Sequence, residues 1–203
     1  MLTSMLIFAL TLLGALPLAL PIAFGRMSKH APLRMLMQVY ISFMRGTPLM
    51  LQLLVVYFGP WFILKIPLSN GYRFYAAIIA FVLNYAAYFA EIYRAGIESI
   101  PRGQYEAAEV LGYSQGQTFW RIIFPQMVKR ILPPVTNEVI TLVKDTSLAF
   151  SIGVMEMFTM AKQISSAEKS MTALVAAAAF YYVFNAIVAW AMNRFERRLA
   201  YYR

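Results

Sequence analysis

The side chains best able to do chemistry in this sequence stand in apolar surroundings. Residues 134–153 read PVTNEVITLVKDTSLAFSIG and place Glu138, Lys144 and Asp145 in a stretch otherwise fit for lipid. An ionisable group at the centre of a membrane helix costs about 2.5–3.5 kcal/mol on insertion scales, so these three are expected to face a cavity or a partner. Asn137, Thr141, Lys144 and Leu148 follow helical spacing, and Glu138 and Asp145 stand seven apart, which gathers the polar groups on one broad face. That face is expected to line a path through the membrane. The competing reading is an interhelical ion pair between Lys144 and a carboxylate that does no more than specify packing. A second stripe carries Asn84, Tyr88, Glu91 and Arg94. Glu91 and Arg94, three apart, are expected to form a structural ion pair within their helix.

Other chemistries find no footing. The chain has no cysteine, which excludes disulfides, thiolate metal sites and a cysteine nucleophile. Its one histidine, His30, lies among basic loop residues and reads as a solvated side chain. The remaining residues offer no metal cluster. Ser147 beside Lys144 and Asp145 reads as polar lining more readily than as a nucleophile with its base. No Gly-Lys pair occurs, so a phosphate-cradling P-loop is absent and ATP cannot be bound by that route. The expectation is a non-catalytic chain with no cofactor of its own.

The elements that must position these residues follow from composition. Of the 203 residues, 61% are hydrophobic and 13% charged, with a mean hydropathy of +0.61, more apolar surface than one soluble core could bury. At about 20 residues per crossing, the apolar runs allow about five spans, at residues 2–25, 47–64, 72–95, 133–155 and 171–192. The fold class is therefore an all-α membrane protein, with residues 1–203 forming a single transmembrane domain. Pro17 and Pro21 are expected to kink the first span, whose long apolar run without a basic leader argues against a cleaved signal. Residues 32–44 are partly amphipathic and suit the interface. Pro133 and Pro134 are expected to open the fourth span, and the alanines at 176–179 to allow close helix contact in the fifth.

The formal net charge of +9 could suggest a nucleic-acid partner, but the charge sits at the ends of apolar segments. With five spans, thirteen lysines and arginines fall on one side, including Arg194, Arg197, Arg198 and Arg203 of the tail. Four fall on the other: Lys65, Arg73, Lys162 and Lys169. The excess predicts a cytoplasmic C terminus, a cytoplasmic stretch at 96–130 and an outward N terminus. No nucleic acid is expected.

That stretch holds the sharpest motif. Residues 99–126 read SIPRGQYEAAEVLGYSQGQTFWRIIFPQ. Pro101 starts a helix that Gly112 ends, and Ser114 begins a second that runs to Pro125. Ala107 and Ala108 are small enough for another surface to approach, Glu106 and Glu109 offer anionic contacts, and Gly112 permits a positive φ. Such an element can enter a groove on a cytoplasmic partner.

Glu106, Ala107 and Ala108, followed by Gly112, Ile122 and Pro125, resemble the EAA loop of bacterial ABC importer permeases, with Phe124 where leucine is usual. RGTPLMLQL at 45–53, AYFAEIYRAGIESIPRGQYEAA at 87–108 and NEVITLVKDTSLAFSIGVME at 137–156 look like the polar amino acid subfamily. The resemblance implies a type I importer fold in the bacterial inner membrane. It implies two permease subunits, identical or related, forming the pore. An ABC ATPase dimer would bind ATP and dock on the loops through Glu106, Ala107, Ala108, Glu109 and Gly112. An extracytoplasmic amino-acid-binding protein would deliver solute. An amino acid carries both signs of charge, so Lys144, Asp145, Thr146 and Ser147 become the candidate substrate contacts. Permeases of this kind often carry a further stretch before the first span, so the outer end is expected to be abbreviated. Two rivals stay open: a secondary carrier, although no internal repeat is visible, and a membrane scaffold that transports nothing. Only the importer reading requires a stoichiometric ATPase.

Overall fold

In the computed structural model, residues 1–69 and 71–199 are described, and all regular structure among them is helical. Asn70, expected in the loop before the third span, and Arg203 of the basic tail lie outside the described residues.

The first helix, α1 (Leu2–Arg26), continues through Pro17 and Pro21. Its buried residues Ile7, Thr11, Ala15, Ala19 and Ala23 recur every four positions. That seam of small side chains brings α1 against α4 (Tyr72–Glu98), the most enclosed of the long apolar helices. Gly96 of α4 is needed for a similar reason. A Cβ there would collide with Ile131 Cγ2 and lie 3.0 Å from Met127 Cγ on α7.

Between α1 and α4 the chain forms α2 (Ala31–Gly46) and α3 (Leu49–Leu64), which meet at 111°. A corner leaves the last carbonyls of α2 without helical partners, and in a bilayer they must be satisfied internally. Side chains supply the donors: Gln52 Nε2 and Asn84 Nδ2 both donate to the Met44 carbonyl at 2.9 and 3.0 Å, and Thr47 Oγ1 adds a bond at 2.8 Å to the Phe43 carbonyl beside the one from its own N–H. Asn84 also donates to Gln52 Oε1 at 2.9 Å, locking α4 to the corner.

After α4 come α5 (Arg102–Val110), the single turn α6 (Gln115–Thr118), a π-helical turn (Phe119–Ile123) and α7 (Phe124–Asp145). A 3₁₀ turn (Thr146–Ile152), α8 (Met157–Glu168) and α9 (Thr172–Leu199) complete the fold. Two expectations are corrected here. Pro125 does not end the loop's second helix, and Pro133 and Pro134 do not open the fourth span, because the helical path runs through all three. The π turn, closed by the Phe124 N–H on the Phe119 carbonyl, widens the helix just before Pro125 and makes room for its ring. Pro134 offers no N–H to the Arg130 carbonyl, and Arg130 is exposed at the polar end of the helix, where water can take that place.

Among the described residues three helices, α1, α4 and α9, are long and apolar enough to cross a membrane, and the bent α2–α3 pair makes a fourth. The fifth expected span is α7 and its 3₁₀ extension, which carries Lys129, Arg130, Glu138, Lys144 and Asp145. It packs between α4 and α9. The alanine run in α9 packs within the chain only through Ala177, and most of that helix is left uncovered.

Candidate functional site

Helical geometry divides the polar residues of α7. Glu138, Thr141 and Asp145, at i, i+3 and i+7, line a cavity of about 260 Å³ together with Tyr85 and Tyr88 of α4. There the Tyr85 hydroxyl donates to Asp145 Oδ2 at 2.8 Å. Lys144 and Ser147 line a different cavity, of about 420 Å³, with Phe158 of α8 and Tyr181 of α9. Thr146 is fully buried between them and donates to the Val143 carbonyl at 2.8 Å. The four residues at 144–147 therefore form a wall with a cationic cavity on one side and an anionic one on the other.

Glu138 and Tyr88 also line a third cavity, of about 490 Å³, which extends the anionic one toward Arg45, Arg94 and Arg130. The Arg45 guanidinium stands 5.2 Å above the Tyr88 ring. Arg94 contacts Glu91 at 2.8 Å and Glu98 at 2.6 Å, and Arg26 of α1 reaches Glu91 at 3.8 Å. This network ties the ends of α1 and α4 together where α5 begins.

The loop is built to hold a shape. Gly112, at φ 75°, closes α5 with the Gly112 N–H on the Glu109 carbonyl and the Tyr113 N–H on the Ala108 carbonyl, at 2.9 and 3.0 Å. Ser114 then caps α6 in a reciprocal pair with Gln117. Gln126 of α7 donates to Gln104 of α5 at 3.1 Å, and Arg130 donates to the Ser99 carbonyl and hydroxyl. Phe119 packs edge-on against Phe24 of α1 at 5.0 Å. The free side of α5 shows Glu106, Ala107, Val110 and Leu111 to solvent, with Val110 87% and Leu111 72% exposed. These two large aliphatic side chains form an apolar patch on the loop that is open to contact.

Comparison with known proteins bears on the family and the fold. The family described as binding-protein-dependent transport system inner membrane component matches residues 15–201. The chain belongs to this family. The permease is 40% identical over 188 residues to the L-cystine transport system permease protein TcyB of Bacillus subtilis, covering 91% of this chain and 78% of that one. It is 37% identical over 186 residues to the arginine transport system permease protein ArtQ of the same organism, covering 90% of this chain and 82% of the other. Among solved structures, an amino acid ABC transporter crystallised with histidines superposes with a TM-score of 0.86 at 32% identity, over 98% of this chain and 91% of that one. An inward-facing MetNI methionine ABC transporter shares the fold at a TM-score of 0.77 and 16% identity, over 97% and 91% of the two chains.

Within the permease, the expected site residues are partly assembled and partly separated. Glu138 and Asp145 share a cavity; Lys144 and Asp145 do not. On the loop, Glu106 and Ala107 lie on the exposed face, while Ala108 is fully buried, so its small side chain serves the packing of α5 on its own chain. Glu109 lines a cleft with Tyr105, Tyr113 and Phe119, and partial burial raises the Tyr105 hydroxyl's pKa above its usual value. Tyr85, Gln52, Glu156 and Tyr181 were missed by sequence reading. Tyr85 falls one residue off the Asn84–Tyr88 stripe, and Glu156 follows an apolar run with no local pattern that marks it as buried.

Proposed function

We propose that this permease is the membrane subunit of an ATP-driven importer of amino acids. Two copies, or one copy and a related chain, enclose the path. An ATPase dimer docks on the exposed face of α5, and an extracytoplasmic protein delivers solute to the opposite face. The excess of basic residues on the loop side supports a cytoplasmic loop and C terminus with the N terminus outside. ATP binding closes the ATPase dimer, the loops move with it, and the path changes from outward to inward exposure.

The observation that carries this reading is the mechanical continuity of the loop. Its free face carries exposed Val110 and Leu111, while α5 is bonded to α4 through the Tyr105 hydroxyl on the Ile97 carbonyl and to α7 through Gln126 and Gln104, and Arg130 of α7 donates to Ser99 at the end of α4. A push on α5 therefore reaches the two helices that wall the anionic cavity. Solute chemistry follows from charge: Lys144 suits an α-carboxylate, while Glu138 and Asp145 suit an ammonium or a basic side chain. The cystine and arginine permeases among the relatives carry solutes of this chemical type.

The test is reconstitution of the permease with its ATPase and binding protein in liposomes, with a panel of radiolabelled amino acids. ATP-dependent uptake and stoichiometric co-purification of the ATPase are expected. Uptake driven by an ion gradient without ATP would favour a secondary carrier and overturn the proposal.

A further inference from the structure

Glu156 is fully buried, at 0% exposure, and among the described residues no lysine or arginine lies within ion-pair distance of it. Enclosing a carboxylate is costly unless donors replace its water. Here they come from three helices. Oε1 accepts from Thr159 N–H and Thr159 Oγ1 at 2.6 and 2.9 Å, which caps α8. Oε2 accepts from Phe158 N–H at 2.7 Å, from the Tyr181 hydroxyl of α9 at 3.0 Å and from Ser4 Oγ of α1 at 3.4 Å. The same Ser4 oxygen accepts from Met157 N–H at 3.2 Å.

A helix cap alone needs one short, solvent-exposed acceptor, and Ser, Thr, Asp or Asn would serve. A glutamate sealed from water, with one oxygen given to its own helix and the other gathering α8, α9 and α1, does more than cap. What it gathers is informative. Phe158 and Tyr181 are two walls of the cavity that Lys144 and Ser147 line, and Glu156 itself is not part of that lining.

We infer that Glu156 is a positioning residue for the Lys144 cavity, setting its affinity for the carboxylate of the transported amino acid by fixing Tyr181 and Phe158 around it. The inference rests on the importer reading. It adds a residue that acts at the cavity without touching its contents, and it makes the Tyr181 hydroxyl the route of that action. An amide at position 156 would turn an NH₂ toward donors that need an acceptor, so Tyr181 would lose its anchor.

The experiment measures direct binding of radiolabelled L-amino acids, including arginine and cystine, to the solubilised permease–ATPase complex without binding protein. Wild type, Glu156→Gln, Tyr181→Phe and the double variant are compared, each with its melting temperature. Both single variants should bind about tenfold more weakly, and the double variant no more weakly than the worse single. Unchanged affinity in either single variant, a lowered melting temperature with affinity intact, or additive losses in the double would overturn the inference. If Glu156→Gln does not assemble, Tyr181→Phe, which leaves the carboxylate its other donors, decides alone. Wild type that binds no amino acid while ATP-driven uptake proceeds would overturn the inference and leave the importer reading standing; absence of ATP-driven uptake would count against that reading itself.

Discussion

At the end of α7 each residue turns the helix by about 100°, enough to send the neighbours Lys144 and Asp145 into different cavities. Two predictions belong at this scale. Lys144→Met should cut ATP-driven uptake at least tenfold while the ATPase still co-purifies, because the side chain lies exposed in its cavity and holds no other helix in place. Unchanged uptake would remove Lys144 from the path. Tyr85→Phe deletes the hydroxyl that donates to Asp145, and a hydrogen bond to a charged group contributes about 1.5–3 kcal/mol. Thermal unfolding of the purified permease should therefore begin several degrees lower. An unaltered melting curve would mean that water replaces the hydroxyl without loss.

The element that matters most is α5, because its two faces are separable by mutation. Val110 and Leu111 face solvent, so Leu111→Asp should leave the permease folded and yet weaken ATPase binding at least tenfold, measured by co-purification from membranes. Ala108 is buried against the chain itself, so Ala108→Trp should also uncouple transport, but by displacing α5. The difference is measurable as increased protease cleavage between residues 99 and 126, which Leu111→Asp should not show. Gly112 sits at φ 75°, where a side chain costs about 1 kcal/mol or more. The turn that aims α5 outward thus depends on glycine as much as on the helix it ends.

At the scale of the whole molecule, the basic residues imply an orientation and small residues pack the bundle. The absence of cysteine makes topology directly testable with single-cysteine variants. Glu106→Cys should react with a membrane-impermeant maleimide only in inside-out vesicles, and Lys169→Cys only in right-side-out ones. Equal labelling from both sides would contradict the orientation that the basic residues imply. The alanine seam of α1 against α4 anchors one side of the bundle, whereas α9 is largely uncovered within one chain. Lipid and a second permease subunit are the surfaces available to cover it.

Several features were legible in the sequence because they depend on local composition. The apolar runs of α1, α4 and α9, the glycine stop at Gly112, the Ser114 start and the Glu91–Arg94 spacing each occupy a few neighbouring residues, and backbone sterics or burial act on them directly. Other features needed the tertiary structure. Pro125, Pro133 and Pro134 read as helix boundaries, and a π turn with a solvated helix end lets the helix continue through them. Whether Ala108 faces a partner or its own chain, which cavity Lys144 enters, and why Glu156 is buried all depend on residues distant in sequence: the α6 turn, α4 and α9, and Ser4 with Tyr181. Sequence fixes the period of a helix, but only packing against other helices chooses which side of that helix faces inward.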